Sequence, residues 1–138
     1  MNSDAGSSKK GKILLMDDDE VIRTAVKGLL ENVGWAVATC SDGQQAIDIY
    51  TKALQEQEPF DAVIMDLHIP DGMSGTTAME QLLAVDPDTK GIVSSGFPND
   101  SVMSDYRKFG FSGSVEKPYK IQELDKVLLS IINPEPHE

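Results

Sequence analysis

Five short apolar runs, each followed by a stretch of helical periodicity, are the feature that most limits how this 138-residue chain folds. The runs are Lys12–Met16, Trp35–Thr39, Phe60–Met65, Gly91–Ser95 and Gly113–Glu116. Their length and content predict buried strands, the fifth being the weakest on composition. Between the runs, apolar residues recur at helix spacing. The first helical segment is carried by Val21, Ile22, Ala25, Val26, Leu29, Leu30 and Val33, with Gly34 as its C-terminal stop. The second runs through Ala46, Ile47, Ile49, Tyr50, Ala53 and Leu54 and stops before Pro59. Ala78, Met79, Leu82 and Leu83 carry the third, and Val102, Met103, Tyr106 and Phe109 the fourth. The fifth has Ile121, Leu124, Val127, Leu128, Ile131 and Ile132 and ends at Asn133-Pro134. Parallel strands need crossover connections, and those are almost always right-handed. The alternation therefore predicts an α/β fold: a doubly wound, five-stranded parallel sheet with helices on both faces.

The flanks lack both periods. Residues 1–10 (MNSDAGSSKK) read as a disordered lead-in or linker, residues 11–132 as one domain, and residues 133–138 as a flexible tail. A domain of this length buries a sizeable core without staples, and the 40% hydrophobic content suits one. The formal net charge of -11 argues against a nucleic-acid surface, which needs clustered Lys and Arg. It suits a basic partner or a bound cation. Cys40 is the one cysteine, so no internal disulfide is available, and nothing basic flanks it to make it reactive. No apolar run approaches the roughly 18 residues of a membrane span. The expectation is a soluble, cytoplasmic protein with no membrane contact of its own.

The chemistry-bearing residues fall at strand ends. Asp17 and Asp18 follow ILLM, Asp66 follows AVIM, Ser95 closes GIVSS and Lys117 follows SGSVE. In a parallel sheet all these ends share one edge, where open α/β folds place their ligands. Adjacent strands lie about 4.8 Å apart, so carboxylates ending them can share a cation. Hard oxygen ligands without His or Cys favour Mg²⁺. A carboxylate there can attack phosphorus to form an acyl phosphate, while the cation and Lys117 offset charge on the equatorial oxygens. Ser95 can donate its hydroxyl to one of them.

The stretches LLMDDDEVIR (14–23), MDLHIPDGMSG (65–75), VSSGF (93–97) and EKPYKIQEL (116–124) carry a family resemblance. An acidic pair, a lone Asp, a Ser and a Lys-Pro, each at a strand end and in this order, resemble the receiver domains of response regulators in two-component signalling. The resemblance covers nearly all of residues 11–132 and looks closest to receivers of hybrid sensor histidine kinases. It implies a flavodoxin-like sheet of order 2-1-3-4-5 and Asp66 as the phosphorylated residue. It implies Mg²⁺ held directly by Asp18, Asp66 and the His68 carbonyl, with Asp17 acting through a water. Ser95 and Lys117 map onto the switch hydroxyl and the lysine of the family, and Lys117-Pro118 onto its cis turn. A histidine kinase or phosphotransfer domain is the implied partner, and the output partner is unspecified. The implied assembly is a monomer or a weak dimer through the last two helices. Three features depart from the family: the Pro70–Gly75 loop is one residue longer, Ser114 stands where many receivers carry a Tyr or Phe, and Phe97 and His68 flank the acceptor.

Each motif alone has a plainer explanation. Asp17-Asp18-Asp19 could cap a helix, a role expected of Asp19 in any case. Ser95-Gly96 and Lys117-Pro118 could be turns, and Gly72 and Gly75 could supply turn conformations. Joint placement at successive strand ends outweighs these. A phosphatase of the haloacid-dehalogenase type would need an acid two residues after its nucleophile, and position 68 is His. A degenerate receiver would lack one of the key acids or the lysine, and all are present. The chain is therefore expected to be a signalling phosphoacceptor, not an enzyme with turnover on other substrates.

Overall fold

The computed structural model describes residues 10–70, 72–97 and 99–133. The apolar runs form strands because they alternate between two cores. Ile13, Leu15, Ile64 and Ile92 fill one face of the sheet, and Leu14, Met16, Val63, Met65 and Val93 fill the other. In chain order the elements are β1 (Gly11–Met16), α1 (Glu20–Asn32), β2 (Trp35–Cys40), α2 (Gly43–Gln55), β3 (Ala62–Asp66) and α3 (Gly75–Val85). There follow β4 (Gly91–Ser95), α4 (Ser101–Ser104), a 3-10 turn (Tyr106–Phe109), β5 (Gly113–Glu116) and α5 (Ile121–Ile132). All neighbouring strands pair in parallel, in the order β2-β1-β3-β4-β5. Both the expected fold class and the expected strand order are met.

One core holds Val26 and Leu30 of α1 with Leu124 and Leu128 of α5. The other holds Ala46 and Tyr50 of α2 with Ala78, Met79 and Leu82 of α3. Trp35 opens β2, 2% exposed, and its indole N–H donates to Asp125 at 2.8 Å. The same carboxylate takes Lys10 Nζ at 3.0 Å, and the Lys10 amide donates to the Gly34 carbonyl at 2.7 Å. Gly34 follows α1 at φ +111°, a left-handed conformation that glycine adopts without strain. Cys40 closes β2 and is buried, and burial pushes its thiol up to about 12. Residues 1–9 of the lead-in and 134–138 of the tail lie outside the described residues.

Two expectations change. The fourth helical segment is a single α-turn, Ser101–Ser104, followed by a 3-10 turn. The Ser104 hydroxyl donates back to the Ser101 carbonyl at 3.2 Å, and Met103 alone of the four helical residues is buried, so packing does not extend the helix. Gly110 at φ +90° then stops the 3-10 turn. Gly75 is not a turn glycine but the first residue of α3. It is needed for close approach: a Cβ there would lie 2.7 Å from the Asp66 carbonyl oxygen.

Gly75→Ala should therefore destabilise the fold by about 1–3 kcal/mol through overpacking. Gly28→Ala, mid-helix with nothing within 4 Å of an added Cβ, should stabilise it by about 0.5–1 kcal/mol. Urea denaturation of both variants checks the contrast in sign.

Candidate functional site

The C-terminal edge of the sheet gathers the acidic residues. Asp17 extends β1, its amide donating to the Cys40 carbonyl at 3.1 Å. Its side chain is fully buried, and one oxygen accepts the Asp19 amide at 2.9 Å. Arg23 reaches back from α1 to donate to the Asp17 carbonyl at 2.7 Å. Asp19 caps α1, accepting from the amides of Val21 and Ile22, as expected of it. Asp18 points outward and is exposed. Asp66 is the last residue of β3 and is 4% exposed. Carboxylate oxygens of Asp17, Asp18 and Asp66 all lie within 4.8 Å of one another.

Lys117 enters from the end of β5, where its amide donates to the Ser95 carbonyl at 2.9 Å. Its ammonium lies 2.8 Å from Oδ2 of Asp66 and 2.8 Å from Oδ2 of Asp17. The first contact is a directed hydrogen bond. The Asp17 oxygen is close enough to form an ion pair yet receives no well-aligned donor. Burial alone would lower the Lys117 pKa, but the contacts to Asp17 and Asp66 outweigh it and hold the ammonium protonated. Asp66 moves the other way from a typical paired acid. Burial raises its pKa, with the Asp17 charge adding to the effect, while Lys117 and the His68 amide at 3.3 Å oppose it. A carboxylate kept short of counter-charge at a crevice mouth is poised to take a cation or an electrophile.

Asp17, Asp18, Asp66 and Lys117 are thus brought together. Ser95 sits at the end of β4, fully buried, with its hydroxyl turned to accept the Phe97 amide at 2.9 Å rather than toward Asp66. The ring of His68 faces away from the acids. Its Nε2 lies 3.3 Å from Asp100 Oδ2, and its edge meets the Phe97 ring at a centroid distance of 5.3 Å. These contacts tie the loop after β3 to the loop after β4. Lys117–Pro118 is cis, as the resemblance implied. Ser114 helps line a recess of about 470 Å³ between α4 and α5, with Met103, Glu116 and Lys120.

Sequence reasoning missed Ser94 and Tyr119. Ser94 is fully buried and accepts the Tyr119 hydroxyl at 2.8 Å. The signal was present: a serine inside an otherwise apolar buried strand must find a partner.

Comparison with known proteins bears on the family and the fold. The family model for the response regulator receiver domain matches residues 13–129. The chemotaxis protein CheY of Bacillus subtilis is 31% identical over 121 residues, spanning 87% of this chain and 93% of that protein. A response regulator receiver domain protein from Clostridium thermocellum superposes with a TM-score of 0.79 at 27% identity, covering 89% of this chain and 94% of the other. The receiver domain of a Pseudomonas aeruginosa sensor histidine kinase, solved with a magnesium ion coordinated in its active site cleft, shares the fold. Its TM-score is 0.76 at 24% identity, over 88% of this chain and 97% of that one.

The raised Asp66 pKa has a measurable sign. As pH rises from the ordinary value of 3.8 through the raised one, the unfolded chain releases this proton first, so Asp66's contribution to stability is lost across that window. Asp66→Asn cannot titrate. Its stability relative to wild type should climb across the window and then level off, in urea titrations run in chelator. A flat difference would contradict the assignment.

Proposed function

This chain belongs to the response regulator receiver domain family, and from that premise we propose that Asp66 accepts a phosphoryl group from a phosphohistidine. The observation that carries this is the Lys117 ammonium shared between Asp66 and Asp17, with Asp18 completing an acidic cluster at the crevice mouth. The donor is a histidine kinase or a phosphotransfer domain. An Asp66 oxygen attacks phosphorus, the O–P bond forms as the P–N bond breaks, and the leaving imidazole keeps the electron pair. Lys117 offsets charge on the phosphoryl oxygens throughout. In dephosphorylation water attacks the phosphorus, the bond to the Asp66 oxygen breaks, and inorganic phosphate leaves as the carboxylate is regenerated, so the domain catalyses only its own phosphorylation and dephosphorylation.

Three carboxylates, one of them with a buried oxygen that lacks an aligned donor, fit a hard divalent cation, and Mg²⁺ is the ion we assign. Asp18, Asp66 and the His68 carbonyl would hold it directly, with Asp17 acting through a water. When bound, it supplies charge neutralisation of the transferring group. Asp17, buried and anchored by the Asp19 amide, keeps its carboxylate in place whether or not the cation is there.

The α1 surface supports a protein donor. Val21 is 77% exposed and Leu29 46%, with exposed Ala25 between them at helix spacing beside the acidic mouth. An apolar stripe so placed suits the helical bundle that would present a phosphohistidine. For the switch, Ser95 must release the Phe97 amide to reach a phosphoryl oxygen. Ser114 is too small to refill vacated space, so backbone movement over residues 95–99 carries the signal toward α4 and α5. This reading places the domain in the cytoplasm, alone or within a hybrid kinase, as a monomer or a weak dimer through its last two helices.

Acetyl phosphate with Mg²⁺ should add a single phosphoryl mass to the wild type and none to Asp66→Ala. Undiminished labelling of the variant by intact-mass spectrometry would sink the acceptor assignment. Separately, Asp18→Asn should weaken Mg²⁺ binding by at least about tenfold, the range already seen when outer-shell partners are lost. A calorimetric titration with unchanged affinity would remove Asp18 from the site.

A further inference from the structure

Beneath the acidic cluster lies a polar pair that phosphoryl transfer does not use. Ser94 points to the sheet face opposite Ser95, into the core built on Ile13, Ile64 and Ile92. Tyr119 reaches it from the turn after β5 and donates its hydroxyl to Ser94 Oγ at 2.8 Å. Ser94 Oγ in turn lies 3.5 Å from the Met65 carbonyl, toward which it donates. Its place in the sheet is notable. Ser94 is the register partner of Asp66 on β3 and of Val115 on β5, and its carbonyl accepts the Leu67 amide at 2.8 Å. A single side-chain bond thus joins the turn that bears Lys117 to the strand position beside the acceptor.

We propose that Tyr119 is a positioning residue, whose hydroxyl bond to Ser94 fixes the turn after β5 and so holds the Lys117 ammonium between Asp17 and Asp66. Lysine carries its charge on a flexible four-carbon stem, so the ammonium is only as well placed as the backbone beneath it. Upstream, that backbone is pinned by the Lys117 amide on the Ser95 carbonyl. Two residues downstream, the pin is the Tyr119 hydroxyl. The Tyr119 ring packs against the core that contains Leu124, a contact that phenylalanine would make equally well. The hydroxyl adds direction rather than packing. Burial pushes the Tyr119 pKa up to about 12, so at neutral pH it remains a donor.

The inference deepens the phosphoacceptor reading, and its test separates the two. The full chain is compared as wild type, Tyr119→Phe, Ser94→Ala and the double variant. Without cation or donor, the ¹⁵N-resolved signal of the Lys117 ammonium should be slow to exchange in wild type and broadened or lost in each variant. Thermal melting should stay cooperative. With acetyl phosphate and Mg²⁺, the rate constant at saturating donor should fall about fivefold, the equivalent of one neutral hydrogen bond. The half-saturating donor concentration should not move, and the double variant should be no slower than either single. Should one single variant fail to fold, the other decides. A retained ammonium signal, an unchanged rate constant or additive losses in the double variant each overturn the proposal. If wild type takes no phosphoryl group, the phosphoacceptor reading fails and the ammonium signal alone decides this one.

Discussion

One buried ammonium holds this site together. Three carboxylates within 4.8 Å would repel, and two of them, Asp17 and Asp66, are shut away from water. At an effective dielectric near 20, two unit charges about 4 Å apart interact by ~4 kcal/mol, a large share of the stability of a small domain. Lys117 converts part of that repulsion into attraction. For it to do so, β5 must pair with β4, β4 with β3 and β3 with β1, because Asp17, Asp66 and Lys117 stand at the ends of three different strands. The two cores that bury the sheet therefore serve the charge arrangement on its edge.

The compensation is incomplete. One lysine serves two buried acids, a third acid is left to solvent, and the Asp66 carboxyl keeps its raised proton affinity. Stability has been withheld at the position where the chain must bind and react. The loops around it are tied chiefly to each other, with His68 meeting Asp100 and Phe97 and Ser95 meeting Phe97, and only the His68 amide reaching Asp66. The mouth is thereby kept in one arrangement while the carboxylates remain free for a ligand.

Much of this was legible in the sequence. Strand positions followed from short apolar runs, least clearly for the fifth, yet the bounds of β4 and β5 were read to the residue. The convergence of Asp17, Asp18, Asp66 and Lys117 was legible because a parallel sheet delivers every strand end to one edge, so order along the chain was enough. What escaped had no periodic signature. The fourth helix shrank to one turn although Met103 is buried and Val102 and Tyr106 pack against the core, because short polar residues stand between them and Phe109 stays exposed. The role of Gly75 depended on a distance of closest approach, which composition does not encode. Tyr119 and Ser94 are 25 residues apart, and nothing but the twist of the sheet and the turn after β5 brings them together. Ser95 was placed on the right strand end, but its hydroxyl direction depends on a local amide two residues away.

The shortness of α4 has a mechanical consequence. A single helical turn joined to a 3-10 turn has few cooperative hydrogen bonds, and the 3-10 bonds are the poorer kind. Strands β3 and β4 beside the acidic cluster are stiff, buried on both faces and close-packed. Work applied at their ends is not absorbed by the core. It passes to the most compliant element in series with them, and that is the segment from Ser101 to Phe109, directly beyond the loop that Ser95 anchors. The domain behaves as a rigid lever with one soft spring, and the spring's position fixes which surface moves when the lever is loaded.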